Sequence, residues 1–358
     1  MKRSRTTSEF LQKYFLAGQK THDDLVAKGG PPSSFDQFVT RHRKAISIIV
    51  PFVLIHIMYW LLAYKYQFLH LFITRYEMGL VMIFGAFVGG ATAEGGGAIA
   101  FPIMTLVLKV SPSVARDFSV MIQSVGLNCA AFSIQMMGVL IESHTFIFAS
   151  IGGTLGTIAS LEFLDDALSP AVKKIAFVSV FFSFAIALYL LNKEKKRLTY
   201  DQIQDFNWWK AVVLMVTGFV GGLFSGIAGS GLEVFAFSVI TLLFRINEKV
   251  ATPTTVSLAG VNSLVTFFWR HFMQGTIQPL AWEYMTVCVP IVTFFAPIGS
   301  LISSHFHRLT LAIFIYLLET IALVSAFVIL RPDWPLWLLS AVIIVISTVT
   351  GCHGTKMQ

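Results

Sequence analysis

Phe87 to Pro102 reads FVGGATAEGGGAIAFP, and three of its features are ones a lipid-spanning helix avoids. It is rich in glycine, it carries a carboxylate at Glu94, and it ends in a proline. Hydrocarbon offers no partner to an unpaired peptide group, so a broken helix there must be buried by protein or must line a watery cavity. The stretch therefore predicts an internal site, with the rest of the chain built around it.

The surrounding sequence supplies the membrane. Of 358 residues 55% are hydrophobic and 13% charged, with mean hydropathy +0.73 and 33 phenylalanines, more apolar surface than a soluble domain can hide. The apolar runs are close to 20 residues long and do not alternate with polar positions, which predicts helices and excludes an outer-membrane barrel. The net charge of +7 is concentrated in residues 1–44, which hold nine Lys/Arg against four Asp/Glu. That is the signature of a membrane inner face and not of nucleic-acid binding. Cys129, Cys288 and Cys352 have no metal-ligand spacing and form no disulfide framework. No metal and no cofactor is expected.

In chain order the sequence divides into a cytoplasmic polar tail (1–44), a leading span and loop (45–75), a first membrane repeat (76–191), a basic cytoplasmic loop (192–210), a second membrane repeat (211–330), and a last span with a short tail (331–358). Met78 to Thr92 and Ala98 to Val110 are each too short to cross a bilayer, so together they predict a helix, an unwound glycine turn and a second short helix. The second half repeats this. Phe87-Val88-Gly89-Gly90 recurs as Phe219-Val220-Gly221-Gly222, Gly95-Gly96-Gly97 as Gly229-Ser230-Gly231, Phe101 as Phe235, Val114-Ala115 as Val250-Ala251, and Ser119-Val120 as Thr255-Val256. Their common order points to duplication. The expected fold is an all-α polytopic membrane protein with two inverted repeats, each opening with a glycine-broken helical pair, plus extra first and last spans. With the tail inside, eighteen Lys/Arg fall on the inner side and eight on the outer, which predicts both termini in the cytoplasm of a multi-pass cell-membrane protein. Charge counting does not separate re-entrant pairs from pairs that cross fully.

Short helices starting after Gly97 and Gly231 leave amide hydrogens without intrahelical partners, which favours an anion. Small residues also permit close helix packing, so a single glycine cluster would not suffice; two in matching positions favour a site. Gly95, Gly96, Gly97, Gly229, Ser230 and Gly231 are the first candidates for substrate binding, joined by Gln123 and Asn128 of the first half and Thr254, Thr255 and Asn262 of the second. Amides and hydroxyls hold an oxyanion without a buried countercharge. Glu94 and Glu233 flank the turns and are candidates for proton coupling or for structural acids; Glu319 is a third acid in an apolar helix, read as a helix contact. Arg116-Asp117 reads as an adjacent ion pair, a surface anchor or a capture site.

The doubled pattern of Gly-Gly, then Gly-Gly-Gly before Ala98-Ile-Ala-Phe-Pro102, and Gly226-Ile-Ala-Gly-Ser-Gly231 before Leu232-Glu233-Val234, resembles the sulfite exporter TauE/SafE family, also called the toluene sulfonate uptake permease family. The resemblance covers roughly Gly79 to Leu330. It implies transport of sulfite, organosulfonates or other small sulfur oxyanions across the cell membrane, with the glycines at the central break. Glu94 departs from what a site for an anion alone would need. The reading is thus a secondary transporter working by alternating access, with H⁺ coupling as a hypothesis. An anion channel is the near alternative, and an intramembrane enzyme using a buried carboxylate or a receptor are more distant ones. The partners are a small sulfur-containing anion and the lipid bilayer; a homodimer is one assembly this allows.

Overall fold

The computed structural model describes residues 34–92, 97–165, 167–193, 198–306 and 308–356. Among these, thirteen α-helices run in order: α1 Ser34–Tyr66, α2 Leu71–Thr74, α3 Tyr76–Ala91, α4 Gly97–Pro102, α5 Pro112–Met136, α6 Ser143–Ala159, α7 Pro170–Lys193, α8 Trp208–Ala228, α9 Leu232–Ser238, α10 Glu248–Phe268, α11 Pro279–His305, α12 Arg308–Leu330 and α13 Trp334–Lys356. The described residues contain no strand; an isolated bridge between Tyr200 and Ile246 pins the central loop to the turn before α10. Four helices are long and apolar enough to cross a membrane, Phe38–Tyr66, Ser143–Leu164, Trp208–Ala228 and Pro279–His305. Helix α1 begins at Ser34, well inside the stretch read as a polar tail: Arg41 to Lys44 continue the helix beyond the apolar run.

The two halves pack reciprocally. Helix α3 lies on α11 and α8 on α6; α5 crosses α10, and α7 packs on α12. The first helix of each half thus lies on the fourth helix of the other. Small residues make these contacts backbone to backbone, as helices in lipid require. A Cβ on Gly90 would fall 2.0 Å from the carbonyl oxygen of Ala296, and one on Gly299 2.1 Å from that of Phe87. In the other pair a Cβ on Gly152 would sit 2.0 Å from the oxygen of Met215, and one on Gly222 2.3 Å from that of Gly153. The doubled Gly-Gly therefore does serve packing. Gly222→Val should cost about 1–3 kcal/mol through overpacking, read as a lower unfolding midpoint of the detergent-solubilised protein.

After each break the chain follows one path. Helix α4 runs into a π turn at Ile103–Val107 and α9 into one at Val239–Leu243. Each is followed by a residue of positive φ, Lys109 (φ 55) and Arg245 (φ 53). Thr105 Oγ1 donates to the oxygen of Phe101 at 2.8 Å, and Thr241 Oγ1 to that of Phe237 at 2.6 Å. These landmarks fix the register and correct one sequence match: the counterpart of Phe101 is Phe237, not Phe235. The glycine spacing misled because the second break is shorter than the first.

Candidate functional site

The second break is built from α8, α9 and the face of α5. Helix α8 ends at Gly229 in the left-handed region (φ 80), with its N–H on the Ser225 oxygen at 2.7 Å, and Gly231 has φ 149. Both conformations strain any residue with a Cβ. Space also demands glycine at 229, where a Cβ would lie 2.7 Å from the Arg116 oxygen and 2.9 Å from Ser119 Cβ. Gln123, one turn along from Ser119, donates through Nε2 to the Gly229 oxygen at 2.8 Å. Helix α5 thus holds the break with a stripe of Arg116, Ser119 and Gln123.

The amide hydrogens at the start of α9 are already engaged. Leu232 N–H donates to Ser225 Oγ at 3.0 Å. The Glu233 carboxylate accepts the Ser230 hydroxyl, and the Val234 and Phe235 N–H groups donate to the Gly231 oxygen. Ser230 and Glu233 are 1% and 2% exposed, so the pair is sealed inside protein. Beside it Ser119 is fully buried, and its hydroxyl has no hydrogen-bond partner among the described residues. A helical serine ordinarily bonds back to a carbonyl a turn earlier; this one does not. The sequence reading used Ser119 only to align the repeats.

The other candidates separate. Asn262 is adjacent: its amide donates to Thr157 Oγ1 at 3.3 Å, its buried Oδ1 has no partner among the described residues, and Gly153 brings it near Leu232. Asn128 is elsewhere, donating to the oxygens of Ser124 and Gly260 at 2.8 and 2.7 Å, where it ties α5 to α10. Thr254 Oγ1 donates to the Val250 oxygen at 2.7 Å and accepts the N–H of Glu142 at 2.8 Å. Thr255 Oγ1 bonds back to Ala251 and Thr252. These hydroxyls are taken up by backbone. At the first break, Gly97 opens α4, while Glu94, Gly95 and Gly96 lie outside the described residues. Glu319, read as a helix contact, is buried in a cleft of about 190 Å³ with Ile99, Pro102 and Ile103, just after that break.

A charged network adjoins the second break through Arg116. Asp117 accepts Arg116 Nε and Nη2 at 3.0 and 2.8 Å, and Arg270 Nε and Nη2 at 3.0 and 2.8 Å. Arg116 also pairs with Asp165, which Lys173 Nζ reaches at 2.6 Å. Arg270 continues to Gln274 Oε1 at 2.7 Å and Thr276 Oγ1 at 2.8 Å. The adjacent pair foreseen at Arg116-Asp117 is therefore a buried knot joining α5, the α6–α7 turn and the end of α10. Only opposite charges isolated in apolar runs could have signalled Arg270. Burial alone would raise Asp165, but the Arg116 guanidinium and Lys173 ammonium outweigh it and hold its carboxyl below the ordinary value. Its contribution to stability is present above the ordinary aspartate range and lost as pH falls through the depressed value. Among the described residues no three His, Cys, Asp or Glu side chains converge as metal ligands.

Residues 78–326 match the family model described as sulfite exporter TauE/SafE. The chain belongs to the TauE/SafE family. This is a family of membrane transporters for sulfite and related sulfur anions, and the match takes in both glycine-broken helices while α1, α2 and α13 lie outside it. No curated protein and no solved structure matches the chain.

Proposed function

We propose that the chain is a secondary transporter of sulfite, an organosulfonate or a related small sulfur oxyanion, working by alternating access with H⁺ coupling through Glu233. The observation that carries this is the Glu233 carboxylate on the Ser230 hydroxyl, beside a Ser119 hydroxyl that has no hydrogen-bond partner among the described residues. These donors are what a sulfur oxyanion would use, and a carboxylate is a tethered anion already seated on one of them. Two anions repel at one desolvated site. Substrate entry then requires Glu233 to take a proton and leave, which binds one H⁺ with each anion. The same competition accounts for an acid in a site for anions.

The reciprocal packing of α3 on α11 and α8 on α6 supports two inverted repeats, with both termini cytoplasmic and the halves rocking about the breaks. Binding of sulfite, thiosulfate, sulfoacetate, sulfate and carboxylates to purified protein tests the substrate class. Counterflow in proteoliposomes tests the mechanism: exchange acceleration is expected, and its absence with conduction intact would replace the transporter by a channel. Ser119→Ala should weaken apparent anion affinity by about fivefold to tenfold, the worth of one hydrogen bond. The unfolding midpoint should hold or rise, because an unpaired buried hydroxyl is removed. A loss of stability with unchanged affinity would make Ser119 a packing residue.

A further inference from the structure

A groove lies between α1, α5 and α11, at the margin of the transport core. It has a volume of about 590 Å³ and walls that include Leu54, Met58, Leu62, Phe132, Met285 and Val289. Four of its polar wall residues are hydrogen-bonded within the protein. Ser124 Oγ donates to the Met121 oxygen at 2.7 Å, the Asn128 amide to the Ser124 and Gly260 oxygens, Thr286 Oγ1 to the Trp282 oxygen at 2.8 Å, and Tyr59 OH to the Thr286 oxygen at 2.8 Å. With those donors consumed, hydrocarbon is the occupant the walls suit. From Val50 to Leu62 the groove follows α1 for about 18 Å at 1.5 Å per residue, slightly more than half of the ~30 Å bilayer core.

Beyond one end of the groove, about 9 Å along α1 from Val50 at 1.5 Å per residue, the helix is cationic. Helix α1 carries Arg41, Arg43 and Lys44, and Lys44 lies on the face of Pro51 and Met58, two turns and four turns away. Lys44 Nζ bonds to Nε2 of His305 at 3.0 Å, at the end of the opposite wall, α11. A lysine ammonium has three donors, so two remain for a phosphate. We propose that this groove binds one anionic phospholipid of the surrounding bilayer, an acyl chain lying along α1 and its phosphate on Lys44 beside Arg43. The bound lipid fills the seam between the first helix and the transport core.

The test is native mass spectrometry of the full chain released from nanodiscs of phosphatidylglycerol and phosphatidylcholine in equal amounts. One retained phosphatidylglycerol is expected on the wild type. Retention should fall at least fivefold in Leu54→Trp, which fills the groove, and in Lys44→Glu, which reverses the exposed charge. Wild-type melting temperatures would show both variants folded, and Lys44→Glu, lying at the surface, keeps the test open if Leu54→Trp does not fold. Equal retention of the two lipids, retention of added oleate in place of phospholipid, or a Leu54→Cys variant that crosslinks efficiently to a second copy would each overturn the proposal. None of these readouts depends on transport, so the lipid site and the anion site fail separately.

Discussion

Glu233→Gln should uncouple anion uptake from pH. In the wild type the Glu233 carboxylate holds the Ser230 hydroxyl, so on the proposed mechanism anion binding draws a proton onto it. Above the pH at which this carboxyl titrates in the empty protein, apparent affinity should weaken by up to about tenfold per pH unit, the slope for one linked proton. The glutamine variant keeps the size and loses the charge. Its apparent affinity should be nearly flat over the same range, close to the wild-type acid limit, and an imposed proton gradient should no longer drive accumulation. Radiolabelled sulfite uptake into proteoliposomes, with internal and external pH set independently, measures both. A glutamine variant retaining the wild-type pH slope would leave Glu233 as a structural cap.

The second large effect is on stability. Asp117 stands between Arg116 and Arg270, with its side chain fully buried. Asp117→Asn leaves two guanidinium groups facing a neutral amide, and removing one partner of a buried pair costs about 3–5 kcal/mol. A fall in the unfolding midpoint is expected, with much of the protein lost on extraction. Adding Arg270→Met removes one stranded charge and should recover part of that cost. The double-mutant cycle gives the coupling energy directly. Additive losses would mean that the bidentate contact contributes little.

The sequence revealed most of the helices and the interruptions after α3 and α8, because glycine runs and uncharged stretches of span length are strong local signals. It did not reveal which polar residues converge. Thr254 and Thr255 looked like ligands, but a hydroxyl inside a helix bonds back to carbonyls a turn earlier. Asn128 sits one turn beyond Ser124, and its amide is spent on a helix crossing with Gly260. Ser119 was the opposite case, a residue whose importance lies in lacking the usual bond. Arg270 lies 153 positions from Asp117, a pairing that no local pattern encodes. The end of α8 was legible from Gly229, whose φ of 80 is one that glycine adopts readily.

The reciprocal seating of α3 on α11 also bears on how the molecule is made. Gly90 touches Ala296, a residue that leaves the ribosome 206 positions later, on the order of 10–40 s at ordinary elongation rates. During that interval the first broken helix lacks the α11 wall against which Gly79 and Gly90 pack. Biogenesis must therefore shelter a half-finished chain, whether by insertase, by lipid or by provisional contacts that later give way.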